Sequence, residues 1–201
     1  MRKQNNSIEL IILNLFLQIR SYQMTLVISG NKNCTTLQLM KMNITKEYLK
    51  YSKMLNKVFL QMLLNFLDWI GRKRTIYDRT GSIPYLVRYY LFLKDRKNFP
   101  FNITLHKVLV SDEPTLHDHP WSWGALILKG GYWEHTPQGK FWRGPGSIRF
   151  RTAKDLHWLE LAKDKNGNEI PCWSIFYMGK KAQQWGFVKN GKWIHNEEYL
   201  K

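Results

Sequence analysis

The sequence predicts an all-β domain of sandwich or barrel type, preceded by an N-terminal helical extension. Three observations carry that expectation. Residues from about 83 onward fall into short runs rich in β-branched and aromatic side chains. Clusters of Gly, Pro, Asn and Asp separate those runs at short intervals. Ahead of them lies a single long stretch with helical periodicity. At 201 residues, 44% hydrophobic and 14% aromatic, the chain suits one packed domain with an appendage, and wholesale disorder is excluded.

Residues 1–42 are read as an N-terminal arm, poorly ordered or a small local addition. They hold a polar, turn-like stretch, Ser29-Gly30-Asn31-Lys32-Asn33, and no sustained period. Met1-Arg2-Lys3 ahead of the apolar residues Leu10 to Ile19 loosely imitates a secretory leader. Glu9, Asn14 and Gln18 interrupt that pattern, and no small-residue cleavage site follows before Arg20. The run is about half of the roughly 20 apolar residues that a membrane span needs. The expectation is therefore no transmembrane segment and a cytoplasmic location.

Residues 43–83 are read as a long amphipathic helix and its linker. From about Thr45 to Ile70 the positions Leu49, Met54, Leu55, Val58, Phe59, Met62, Leu63, Phe66, Leu67 and Ile70 recur at helical spacing. Asn43 or Thr45 is placed to cap its start, and Gly71 to end it. Arg72-Lys73-Arg74 then supplies cations where a helix C-terminus favours them. The Met and Phe stripe is most simply a packing face.

Residues 84–201 are read as the β domain. Its strand-like runs are 85–93, 103–110, 124–128, 148–151 and 173–178. Turn chemistry at Asp112-Glu113-Pro114, Gly130-Gly131, Pro137-Gln138-Gly139, Gly144-Pro145-Gly146 and Asn166-Gly167-Asn168 divides them. Many short strands at this spacing imply a barrel or sandwich.

The formal net charge is +16, from 31 Lys+Arg against 15 Asp+Glu. Such an excess raises the question of nucleic acid or an anionic surface, but it is spread along the chain, and a solvated surface is the simpler reading. Two cysteines, Cys34 and Cys172, exclude a disulfide framework and a cysteine-based zinc cluster. Cys172, behind Pro171 at a strand start, reads as a buried thiol. No Ser-His-Asp order and no phosphate-cradling Gly-rich loop is present, so nucleophilic hydrolysis and nucleoside-triphosphate chemistry have no support.

Any metal must then rest on the six histidines. The informative segment is His117-Asp118-His119-Pro120-Trp121-Ser122-Trp123. In extended chain, alternate side chains share a face, so His117 and His119 point one way and Asp118 the other. Two imidazoles on one face bind a divalent ion when a third ligand comes from elsewhere. Taken alone, such a pair is as often a surface or hydrogen-bonded pair.

The spacing around it resembles the cupin superfamily, small jelly-roll β-barrels that hold a metal in the barrel mouth. The first cupin motif has two histidines one apart, then a Glu, then a Gly. Here His117 and His119 are followed by Trp123 at the Glu position and Gly130 at the Gly position. The second motif runs from a Gly to a His eleven residues on, as Gly146 and His157 do. The spacer 131–145 has a usual cupin length. The resemblance covers roughly residues 84–195 and implies a cupin-type jelly-roll barrel with His117, His119 and His157 as metal ligands. Departures are Trp123 for the ligand Glu, and Thr152, Lys154 and Leu161 where Pro, Gly and Asn are frequent. The set of three histidines is similar to that of the cysteine and thiol dioxygenase branch, which implies Fe(II). Imidazole ligands also suit zinc or nickel, with manganese a further choice.

This implies a mononuclear metal-dependent enzyme, foremost an Fe(II) dioxygenase, acting on a small polar or anionic molecule. Alternatives on the same scaffold are a metal-independent sugar-nucleotide isomerase or epimerase, and a basic, non-enzymatic ligand- or nucleic-acid-binding module. A homodimer is one possible assembly, and the sequence does not fix the oligomeric state. Arg149 and Arg151 alternate on one strand and would clamp an anion if they face inward; an outward, solvated placement is the simpler reading. Arg88, Trp121 and Trp123 complete the candidate substrate-binding set. His106 reads as a core or edge histidine, His135 and Glu134 as surface residues, with Glu134 as a missing-carboxylate donor the alternative, and His195 as surface. Tyr89 and Tyr177 offer phenols without a specific signal.

Overall fold

A computed structural model of the chain describes residues 34–94 and 99–200, with side-chain environments from residue 44 onward. The expectations for residues 1–33, the leader-like stretch and the turn at 29–33 among them, lie outside the described residues. The described residues fall into two compact units that divide between Val58 and Phe59.

A single helix, α1 (Cys34–Trp69), comes first. It begins eleven residues before the expected Thr45, so part of the segment read as an arm is helical. Its end is as expected: Gly71 adopts φ 68°, the Gly71 N–H donates to Asp68 O (2.9 Å) and the Arg72 N–H to Leu67 O (2.7 Å). That paired arrangement closes the last carbonyls, and it needs a left-handed residue that glycine supplies without strain.

The expected packing face of the helix is mostly exposed. Among its described residues only Leu64 and Leu67 are buried, in a cluster with Tyr89 and Leu105 flanked by Val87 and Trp173. Phe59 is 69% and Trp69 81% exposed. Helical periodicity reports that apolar residues share a face; it does not report that a partner covers the face.

Eleven strands follow: β1 (Lys73–Tyr77), β2 (Pro84–Tyr90), β3 (Asn102–Val108), β4 (Trp121–Lys129), β5 (Tyr132–Thr136), β6 (Gly139–Arg143), β7 (Ile148–Arg151), β8 (Trp158–Leu161), β9 (Cys172–Lys181), β10 (Gly186–Lys189) and β11 (Lys192–His195), then a short α2 (Asn196–Tyr199). β1 corrects the sequence reading, because Lys73 and Arg74 belong to a strand rather than to a linker. Lys73 still serves the helix end, with Nζ 2.6 Å from the Asp68 carboxylate. Arg72 Nη1 donates to the carbonyls of Tyr90 and Phe92, each at 3.2 Å.

The strands form a six-stranded sheet in the order β1-β2-β3-β9-β4-β7, a three-stranded sheet β6-β5-β8, and the β10-β11 hairpin. Every pairing is antiparallel. The core lies between the two larger sheets, where Trp123, Ala125, Ile127 and Cys172 of one meet Tyr132 and Leu161 of the other. On β4 the residues 123, 125 and 127 point inward, as the period of two requires.

That parity settles β7. Arg151 pairs with Trp123 and Arg149 with Ala125, and directly paired residues share a face. The arginines therefore take the core side of the strand, while Phe150 is 74% exposed. The outward reading of Arg149 and Arg151 is corrected. The polarity of the two faces is reversed because a buried carboxylate, described below, draws the arginines inward.

Gly186 marks the closest backbone approach in the hairpin. A Cβ there would stand 2.1 Å from Ile194 O and 2.9 Å from its carbonyl carbon, and backbone cannot yield cheaply. Gly186→Ala is expected to cost about 2 kcal/mol, read as a lower urea midpoint with an unchanged slope; an unchanged midpoint would contradict this approach.

Candidate metal centre

The segment 115–119 is extended chain between β3 and β4. His117 and His157 exchange two backbone hydrogen bonds, N–H to O in each direction at 3.0 Å; Asp118 N donates to Gly186 O (3.1 Å) and His119 N to Ala153 O (3.0 Å). The alternation expected from sequence holds within it. Asp118 is buried on the side away from the imidazoles and accepts from Gly186 N (2.7 Å), Gln183 Nε2 (3.0 Å) and Trp193 Nε1 (3.2 Å). Three donors satisfy this buried charge and tie the segment to the β10-β11 hairpin.

On the other side the three imidazoles meet. One ring nitrogen from each of His117, His119 and His157 lies within 4.8 Å of the others, and His119 Nε2 is 2.8 Å from His157 Nε2. The outer nitrogens face acceptors. His117 Nδ1 is 3.3 Å from Thr115 O, and His157 Nδ1 is 3.5 Å from Glu134 Oε1. A proton on each Nδ1 leaves the Nε2 lone pair for the interior, which is how such partners orient ligand imidazoles. Burial holds the His117 pKa below the ordinary histidine value against the pull of the Asp112 charge. It holds His119 well below, assisted by His157 and His117. Neutral imidazoles are what a cation requires. The donor set thus fits one divalent metal ion, and the three residues could hold it.

Glu134 is the residue that sequence reasoning misplaced. Read as surface, it is 0% exposed. Arg143 Nε donates to its Oε2 (2.8 Å), and Arg151 Nε and Nη2 donate to its Oε1 (3.1 and 3.0 Å). Arg149 Nε stands 3.9 Å away. Burial alone would push this carboxyl up; the neighbouring His157, the bond from Arg143 and the Arg151 charge outweigh it and bring the pKa down to about 2. The carboxylate does not join the histidine cluster as a fourth ligand. It stands behind His157, and the guanidinium groups anchor it there. Glu134 sits on the inward parity of β5 with Tyr132, the one sequence signal that would have found it.

A cavity of about 300 Å³ opens onto the histidines. Arg88, Trp121 and Trp123 line it; Arg149 and Arg151 do not, because they turn to Glu134. His106, read as core or edge, also lines it, buried, and accepts from Arg88 Nε at 3.0 Å. Asp112 lines it too and accepts from Tyr85 Oη and from Leu159 N (2.7 Å). Neither Asp112 nor Phe176 was singled out in the sequence, since no spacing pattern marks them.

The remaining candidates lie elsewhere. His135 Nε2 is 2.8 Å from Glu160 Oε2, and its ring stacks on Trp158 at 3.6 Å. His195 caps α2, accepting from Glu197 N at 3.3 Å. Tyr89 is packed under the helix and Tyr177 stacks on Phe101. Cys172 is buried with its thiol pushed up to about 12, in accord with its reading as non-nucleophilic.

No protein-family model and no curated protein matches this sequence. Among solved structures, the chain is similar to a polyketide cyclase from Streptomyces resistomycificus (16% identity, 57% of this chain and 77% of that one, TM-score 0.43). It is likewise similar to an RmlC-like cupin protein from Ralstonia eutropha (13% identity, 64% and 77%, TM-score 0.44). A third is ectoine synthase from P. lautus (11% identity, 52% and 67%, TM-score 0.37). Cupin proteins and enzymes are thus both among the solved structures to which the chain is similar. No helix among the described residues is long and apolar enough to cross a membrane.

Replacing Glu134 by Gln keeps the shape but leaves Arg143 and Arg151 without their counter-charge. The expected cost is about 3 kcal/mol, a fall in Tm of roughly 6–12 °C for a chain of this size. A Tm within 2 °C of wild type on this scale would show that the carboxylate does not hold the cluster.

Proposed function

We propose that the protein is a mononuclear metal-dependent enzyme in which His117, His119 and His157 hold one divalent ion, and that a small polar or anionic molecule binds in the adjoining cavity. The observation that carries this reading is the cluster itself: three imidazoles converging on one point, two of them with Nδ1 set against an oxygen acceptor. Among the described residues no carboxylate joins the cluster, so the bound ion would keep its full charge toward a ligand. Such an ion would supply a Lewis-acid centre with open positions and, as Fe(II), the electrons for dioxygen chemistry. The favoured activity is an Fe(II) dioxygenase. In it Arg88 and the indoles of Trp121 and Trp123 bind and orient the substrate, and the aromatic wall excludes water.

A second reading, a metal-independent isomerase or epimerase, draws on the 2.8 Å contact of His119 with His157. A proton shared between the two rings would give the same distance, and one of them would then act as general base.

Elemental mass spectrometry on anaerobically purified protein, beside a His117→Ala/His157→Ala double variant, separates them. The expected result is about one equivalent of iron in the wild type, lost in a variant that keeps its circular dichroism. Stoichiometric zinc, nickel or manganese would keep the metal site and remove the dioxygenase reading. Absence of metal from both proteins would overturn the metal-dependent reading, as would retention by the variant.

A further inference from the structure

The cavity wall has a directional order that the three histidines do not explain. At one end stands Arg88, its Nε donating to His106 Nε2 at 3.0 Å. The His106 ring stacks on Phe176, centroids 4.4 Å apart and planes 15° from parallel. Phe176 stacks on Trp123 at 5.6 Å and 16°, and Trp123 lies over His157 at 4.8 Å and 31°. All of these residues line the same cavity. The result is a row of three nearly parallel rings and a fourth, tilted one, running from a guanidinium to the candidate metal ligands.

Two further observations give the row a chemical sense. Arg88 is the one Lys or Arg side chain among the described residues that line the cavity. His106 is neutral, since burial and the Arg88 charge both push its pKa well down, so it accepts from Arg88 rather than repelling it. The carboxylate in the same wall, Asp112, has one oxygen on Tyr85 Oη and the other on Leu159 N. The second observation is Trp123: the residue is 2% exposed, and its indole N–H is buried without a hydrogen-bond partner. A donor left unsatisfied in a cavity wall calls for an acceptor brought by a ligand.

We propose that the cavity takes a small carboxylate carrying a ring-sized apolar body, the carboxylate bound at Arg88 and the body laid along the His106–Phe176–Trp123 rings toward the histidines. Guanidinium and carboxylate match as a planar, charge-assisted pair. Because the rings cover one another's faces, the row presents apolar ring edges, against which the face of a flat body packs edge-to-face. The Trp123 N–H adds a donor to a polar substituent at the far end. The inference deepens the substrate-site reading and rests on it; it names the substrate class by anion and ring.

The test is calorimetric binding of three probes to the purified, metal-analysed protein: phenylacetate, its neutral isostere phenylacetamide, and acetate, which lacks the ring. Phenylacetate is expected to bind at least tenfold more tightly than either. In Arg88→Gln, whose amide can still donate to His106, phenylacetate should lose at least tenfold and phenylacetamide change less than threefold. Arg88→Lys, which keeps the charge without the fork, should fall between. Phe176→Leu should bring phenylacetate down toward acetate. Metal content is read on every variant, so a protein without metal that still prefers phenylacetate would sink the metal-dependent reading and leave this one standing. Equal binding of phenylacetate and phenylacetamide, no binding of phenylacetate, or unchanged affinity in Arg88→Gln would overturn the proposal; in the last case the carboxylate sits elsewhere, on the metal for instance.

Discussion

Two backbone hydrogen bonds between His117 and His157, N–H to O in each direction at 3.0 Å, are the constraint from which the site follows. They join segments forty residues apart in sequence and set two imidazoles on the same side of a local ladder. His119 comes to the same side because the chain alternates. The bonds form only if the segment 115–119 is held extended, and Asp118 holds it. Its buried carboxylate takes three donors from residues 183, 186 and 193. The residue between the two histidines is thus part of the same device.

A second layer acts on His157 from behind. Glu134 is buried with one histidine and two directly bonded guanidinium groups around it. An isolated carboxylate there would be neutral; the surrounding cations keep it ionised. Its charge is worth retaining only if the whole group forms at once, since removing one partner from a buried charge cluster costs far more than replacing the cluster. This cooperativity links the three-stranded sheet, which supplies Glu134 and Arg143, with the six-stranded sheet, which supplies Arg151. It also explains the odd polarity of β7, with Phe150 turned out and the arginines turned in.

Much of this was legible in the sequence where local chemistry decides. Gly71 ends the helix where a left-handed residue was foreseen, and the His117–His119 alternation and the offset to His157 mark the residues that converge. What was not legible depends on pairing across the chain. Glu134 looks like a surface acid until its strand partners are known. Arg149 and Arg151 share a face in either reading, and only the register with β4 says which. The strand at 73–77 was hidden by its charges, which also suit a helix end. The Arg88–His106 pair forms across β2 and β3, and Phe176 joins it from β9, so no spacing within one segment announces them. Apolar periodicity in α1 was read correctly as helix, whereas its burial is a property of neighbours.

The most direct measurement is X-ray diffraction from crystals grown with Fe(II) under anaerobic conditions, with data on both sides of the iron absorption edge. The account predicts one anomalous peak per chain, bonded to a ring nitrogen of each of His117, His119 and His157 at about 2.0–2.2 Å. Full occupancy of the crystal by iron elsewhere, at His135 and Glu160 for example, or no peak among the three histidines, would contradict it.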